Sequence, residues 1–390
     1  MVFLDMKKAL IFGAGKIGQG FIGDLLHDNG YEITFADVSD KVVEEIDKNN
    51  SYNLFLTNHN YEEKIIDNVS ALSLIKNQEE IIELVTEVDI ITTSVLKANL
   101  TGVAPVLAKG LKKRLEKGRN KVIVMACENA ILATDTLVNL MIDTRIVTMN
   151  ELDKIGTYPN TGVDRFVFGG VYNGKEGTAV SDSHELAIER QKLDDLDSEP
   201  IKGAKYVDNL EAVLKRKIYL VNCWLAITSY IGYVHGYKMV NDALRDQDIQ
   251  TIVKKAVHES AAGLEKKFNF SHEEMSDYIN EMIIKRYDDY NQTGIEDPIA
   301  RVARQPIRKL SSDDRIMGPA YIASEYNLPN NYLLYGAAHA FKYDNADDEE
   351  AVKMQNYIQK NGIENTIENI SGLEIGSDMF NIVLECYNNI

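Results

Sequence analysis

Cysteine is scarce: Cys127, Cys223 and Cys386 are the only three, far apart and without a CxxC pair. That pattern argues against a disulfide framework or a cysteine zinc site and predicts reduced thiols. With 7 prolines and 25 glycines among 390 residues, a collagen-like or linker-dominated chain is excluded. No stretch approaches the roughly 18 consecutive apolar residues of a membrane span. Positive charge is the minority sign, with 42 Lys and Arg against 60 Asp and Glu, a net charge of −18. Such a surface repels nucleic acid and anionic membranes, so neither is an expected partner, and an anionic substrate needs its own basic cluster. No His, Cys or Asp pair has metal-ligand spacing, so no metal is expected. The first residues run into a strand without a signal-peptide pattern, and a cytoplasmic location is the expectation.

What is present is ordinary for a soluble globular protein: 45% hydrophobic and 26% charged residues. The length predicts two domains, placed at 1–199 and 200–390, with the polar stretch Asp194–Pro200 as linker.

The strongest motif lies near the start. Lys8–Gly13 is a short apolar run ending in glycine, as a buried parallel strand does. Gly13-Ala14-Gly15-Lys16-Ile17-Gly18 follows, then Phe21, Ile22, Leu25 and Leu26 at helical spacing, then a strand Glu32–Asp37. In such a unit Gly13 permits the tight turn, Gly15 lets a pyrophosphate approach, and Gly18 packs the helix on the sheet. Asp37, 19 residues after Gly18, is placed to accept ribose hydroxyls and to repel a 2′-phosphate, so the expected cofactor is NAD. Further strands at Val88–Ser94 and Val122–Ala126, with a helix over Val103–Leu115 between them, predict a Rossmann-like doubly wound parallel sheet. Cys127-Glu128-Asn129 follows one of these strands. It reads equally as a cofactor-crevice element and as an N-cap for the next helix.

Beyond residue 200 helical periodicity takes over. Helices are predicted over Asn209–Tyr233, Asp248–Phe268, Ser271–Tyr287, Asn331–Phe341 and Glu349–Lys360, with a capping box at Ser271. The second domain is therefore mostly α-helical.

Taken together, Ala9–Gly23, Phe35–Val38, Ile91–Thr93, Ala126–Asn129, Val163–Arg165, Arg216-Lys217, Asn222, Ala226–Thr228 and Arg301–Leu310 resemble the polyol-specific long-chain dehydrogenases over nearly the whole chain. The resemblance implies NAD-dependent, metal-independent oxidation of a secondary alcohol of a polyol phosphate, of the mannitol-1-phosphate to fructose-6-phosphate type. It implies Lys217 as general base, with Asn222 and Asn160 as donors to the reacting oxygen. Cofactor contacts are implied at Gly13, Gly15, Lys16, Ile17, Gly18, Asp37, Thr93, Glu128 and Asn129. The chain departs from the family pattern at Gln19, Leu96, Trp224 and Leu225, the last standing where the family has a histidine. Two other readings stay open: a related reductase of hexuronates or sugar acids, and a non-catalytic NAD-binding sensor.

Arg301, Arg304, Arg308, Lys309 and Arg315 form the most basic stretch of this acidic chain. Arg304, Arg308 and Lys309 are the candidate binders of a substrate phosphate or carboxylate. The alternative is salt bridging to Asp313 and Asp314 on a solvated face. A small anionic sugar or polyol is the expected partner, with the protein a monomer or homodimer.

Overall fold

The computed structural model describes residues 6–287 and 296–390. The chain forms two compact units, Met1–Val213 and Leu214–Ile390. The division falls within the helix Leu210–Lys217, later than the boundary placed at residue 199.

The strands of the first unit, in chain order, are β1 (Lys8–Phe12), β2 (Glu32–Asp37), β3 (Ser51–Leu56), β4 (Glu62–Asp67), β5 (Val69–Ser73), β6 (Ile90–Thr93), β7 (Val122–Ala126), β8 (Gly156–Thr157), β9 (Thr161–Tyr172), β10 (Lys175–Glu189) and β11 (Lys205–Val207). Six of them make the expected doubly wound sheet, in the order β5-β2-β1-β6-β7-β8 and parallel throughout. The apolar run of β1 is explained by burial on both faces. Leu10 and Phe12 pack with the helices Gln78–Val85, Leu100–Glu116 and Ala133–Asp143, while Ala9 and Ile11 pack on the opposite side with Phe21, Ile22 and Val180. The chain leaves β1 toward β2 on one side and reaches β6 later on the other, so the crevice beyond β1 and β6 is the topological switch point.

A second sheet lies outside the pattern read from the sequence. Its order is β11-β10-β3-β4, with β9 paired antiparallel to β10. One signal for it was present: Asn173 and Gly174 join β9 to β10 with φ of 52° and 78°, the two positive angles of a tight hairpin turn. This sheet supports the first helix, since a Cβ on Gly20 would lie 2.7 Å from Val167 and 2.9 Å from Thr178. Arg165 of β9 completes the junction. Its guanidinium donates to the Gly20 carbonyl at 3.0 Å and to the buried Asp24 carboxylate at 2.5 Å, and Lys64 of β4 lies 2.7 Å from the same carboxylate.

The described residues of the second unit form helices and no multi-residue strand. Ser271 opens its helix with the predicted capping box. The predicted helix Asn209–Tyr233 is interrupted by a π-helical turn, Ile218–Asn222, between Leu210–Lys217 and Cys223–Val234. The helix predicted to end at Lys360 continues to Ser371 beyond a kink at Gly362. No helix among the described residues is long and apolar enough to cross a membrane.

Candidate active site

The glycine turn after β1 is built as its sequence demands. Gly13 has φ 98°, and a Cβ there would lie 2.5 Å from the Ser94 carbonyl oxygen. On Gly18 a Cβ would run into the Gly13 carbonyl, whereas on Gly15 it would meet no protein atom. Gly15 and Lys16 are exposed and Ile17 half-buried, so the turn is open to an approaching ligand at the position where the motif needs it. Asp37, at the end of β2, ties the turn down. One carboxylate oxygen accepts from the Ala14 amide at 2.6 Å and the other from the Ser39 amide at 2.8 Å.

At the ends of β6 and β7, Thr93 and Glu128 are both buried and bonded to each other, Thr93 Oγ1 donating to Glu128 Oε1 at 2.8 Å. The same carboxylate accepts the amides of Val95 at 2.9 Å and Leu96 at 2.8 Å. Asn129 is exposed. The helix after β7 begins only at Ala133, so Glu128 does not N-cap it. The Glu128 bonds to the β6 turn carried no signal in the sequence.

Asn160 is 1% exposed. Its carbonyl oxygen accepts the Asp135 amide at 3.2 Å, and its amide donates to Glu189 at 3.0 Å.

In the second unit the π-turn decides which side chains share a face. In an α-helix, Lys217 and Asn222 would stand about 140° apart around the axis. Here the winding is wider: the Cys223 amide donates to the Ile218 carbonyl, five residues back. Such i→i+5 winding stacks residues five apart on one side of the helix, so Lys217 and Asn222 align. Leu225, three residues further and back in α-winding, follows on that face. Lys217, Asn222 and Leu225 are all half-buried. Bonds from other elements brace the turn: Ser260 Oγ donates to the Tyr219 carbonyl at 2.7 Å, and the Tyr219 hydroxyl donates to the Asp313 carbonyl at 2.9 Å. Trp224 points elsewhere. It lines a mainly apolar cavity of about 760 Å³ with Leu244, Val257, Met275 and Ile283. Of the departures from the family pattern, Trp224 thus does not share the surface of Leu225.

The basic segment belongs to the same unit and is tied to the same helix, the Tyr230 hydroxyl donating to the Ala303 carbonyl at 2.8 Å. Its cations are not equivalent. Arg301 is clamped at 2.6 and 2.5 Å by the buried Asp297. Arg308 and Arg315 share Asp314 at 3.0 and 2.7 Å. Lys309 is 3% exposed and gives its ammonium to the carbonyls of Val302 and Arg304. Burial, reinforced by the neighbouring Arg315, Arg308 and Arg304, pushes its pKa down to about 7. Arg304 is exposed, and its guanidinium makes no hydrogen bond or ion pair with a described residue. Among the described residues no three His, Cys, Asp or Glu side chains converge as a metal site.

Comparison with known proteins agrees across the chain. Residues 7–198 match the mannitol dehydrogenase Rossmann domain and residues 209–390 the mannitol dehydrogenase C-terminal domain. The chain is 38% identical over 379 residues to mannitol-1-phosphate 5-dehydrogenase of Caldanaerobacter subterraneus subsp. tengcongensis, covering 96% of both proteins. It is 36% identical over 369 residues to the protein of that name from Geobacillus stearothermophilus, covering 94% and 95%. A substrate-free D-sorbitol dehydrogenase shares the fold with TM-score 0.80 at 14% identity, over 98% of this chain and 93% of that one. Pseudomonas fluorescens mannitol 2-dehydrogenase, solved with NAD and D-mannitol, has TM-score 0.69 at 14% identity, over 98% and 92%. With both domain models matched in order and these identities running nearly end to end, the chain belongs to the mannitol dehydrogenase family.

Proposed function

We propose that this chain is an NAD-dependent polyol phosphate dehydrogenase that oxidises a secondary alcohol to a ketone without a metal, as mannitol-1-phosphate to fructose-6-phosphate. The observation that carries the reading is the π-turn Ile218–Asn222, which sets a lysine and an amide donor on one helix face. Relatives named mannitol-1-phosphate 5-dehydrogenase support the choice of substrate.

The open glycine turn fits a dinucleotide. Gly13, Gly15, Lys16, Ile17 and Gly18 would hold the pyrophosphate and Asp37 the ribose, while Thr93, Glu128 and Asn129 stand at the crevice. When bound, NAD supplies the carbon that accepts the hydride. Lys217 takes the proton of the substrate hydroxyl at Nζ, and in the reverse direction returns it to the carbonyl oxygen. Asn222 and Asn160 donate N–H bonds to that oxygen as its charge develops. Arg304 is the candidate anchor for the substrate anion, with Arg308 and Lys309 adding positive field.

An exposed guanidinium at Arg304 would serve a carboxylate as well as a phosphate, so a hexuronate reductase is the competing reading, and a non-catalytic sensor would bind NADH without turnover. A panel of mannitol-1-phosphate, free mannitol, fructose-6-phosphate and hexuronates, followed by NADH absorbance, separates the three. Mannitol-1-phosphate should give the highest kcat/KM for oxidation, and a hexuronate reduced more efficiently than fructose-6-phosphate would overturn the assignment.

Two variants test the binding roles. Asp37 should make the protein prefer NAD over NADP by at least about tenfold, since a carboxylate facing a phosphate a few ångströms away is opposed by more than 1.4 kcal/mol. Asp37→Ala should narrow that preference, and equal affinities in the unmodified protein would remove the role. Arg304→Ala should raise KM for mannitol-1-phosphate about 10–100-fold, the worth of a charge-assisted hydrogen bond, while kcat/KM for free mannitol changes little. Parallel losses on both substrates would place Arg304 outside phosphate recognition.

A further inference from the structure

Leu96 stands at φ 74° and ψ 141°, a backbone region open to glycine and costly for leucine. It is also 74% exposed, so the side chain recovers nothing by packing. Strain of this kind persists only where surrounding bonds over-determine it, and here they come from the next strand. Glu128, itself 5% exposed, accepts from Thr93 Oγ1 and the Val95 amide on one oxygen and from the Leu96 amide on the other. From the far side of the turn, Asn99 donates to the Val95 carbonyl at 2.7 Å, and the Asn99 amide donates to the Leu96 carbonyl at 2.9 Å. The turn also leans on the glycine motif, since the space a Cβ on Gly13 would need is filled by Ser94 and Val95. Leu96 is thus held out at the switch point, beside the loop that follows β1.

We propose that Glu128 is a positioning residue that clamps the Val95–Leu96 turn, and that Leu96, held out by this clamp, is the apolar contact for the nicotinamide end of the cofactor. The second half rests on the NAD reading above. The clamp needs a carboxylate. Both of its oxygens accept, whereas a glutamine would accept on one and turn an NH₂ group toward a backbone N–H. It also needs a residue that resists the conformation, because a glycine at 96 adopts positive φ unaided.

Four proteins decide it: the unmodified chain, Glu128→Gln, Leu96→Gly and the double variant. Each is measured for NADH affinity by fluorescence titration and for Tm without cofactor. Glu128→Gln should weaken NADH binding by about tenfold with leucine at 96 and by less than about threefold with glycine there, the non-additivity of coupled neighbours. The drop in Tm should likewise be larger in the leucine background. Leu96→Gly alone should raise both the NADH Kd and the KM for NADH, leaving kcat less affected. Equal effects of Glu128→Gln in the two backgrounds would overturn the clamp, as would failure of Glu128→Gln to fold in both. Folding only with glycine at 96 would support it. Unchanged NADH affinity in Leu96→Gly would remove the contact role. An unmodified protein that binds no NADH would overturn the cofactor reading instead, while the Tm comparison still judges the clamp.

Discussion

Lys217→Ala is expected to slow hydride transfer by about 10²–10⁴-fold, the range a positioned general base contributes, while leaving NADH affinity unchanged. The size follows from the roles available. An amide can donate to the reacting oxygen but cannot remove its proton, and on the helix face formed by Lys217, Asn222 and Leu225 the lysine is the only titratable side chain. Single-turnover measurements with pre-bound NAD separate the chemical step from binding. The loss should shrink as pH rises, because hydroxide and added amines then compete for the missing base. A variant that keeps full activity on mannitol-1-phosphate would show that the proton leaves by another route.

Leu225→His should act in the opposite direction, raising turnover of mannitol-1-phosphate by as much as about 10²-fold. Removing one donor from a site that stabilises a developing oxyanion costs about 10²–10³ in rate, and an added donor recovers at most that. The position suits the change. Leu225 lies three residues beyond Asn222 on the same helix face, and its half-exposed side chain leaves an imidazole room without opening the core. The gain should fall on kcat more than on KM, since the bond strengthens as the oxygen gains charge. If no polyol phosphate responds, the sugar-acid or sensor reading moves ahead.

The parts of this molecule legible in its sequence are those governed by local periodicity. The two-sided burial of β1 made its apolar run, the steric demands at Gly13 and Gly18 made the motif, and Ser271 wrote its capping box in four residues. The second sheet was harder to see because β9 and β10 are long and only partly buried, leaving the Asn173-Gly174 turn as their clearest mark. The alignment of Lys217 with Asn222 could not be derived from α-helical spacing, which places them on different sides; it came through family resemblance, and the π-turn supplies its physical basis. Charge counting found the basic segment but could not rank its members. Asp297 and Asp314 lie close in sequence to the cations they pair with, yet nothing in their spacing says that Lys309 turns inward and Arg304 outward.

The junction of Arg165, Lys64 and Asp24 gives the first helix a sensitivity to acid. Burial acts to raise the Asp24 carboxyl, but the Arg165 guanidinium and the Lys64 ammonium more than offset it and hold it below the usual carboxylate range. Its contribution to stability is therefore present above the ordinary Asp range and is lost as pH falls through the depressed value. Protonation there would cut the link between the glycine-rich helix and the hairpin sheet at one buried point, with two cations left facing each other across it. Acid below the usual carboxylate range should thus release the loop that follows β1 before the parallel sheet itself melts, and protection of the Gly18–Asp24 amides from hydrogen exchange should fall at a higher pH than that of β1 or β6.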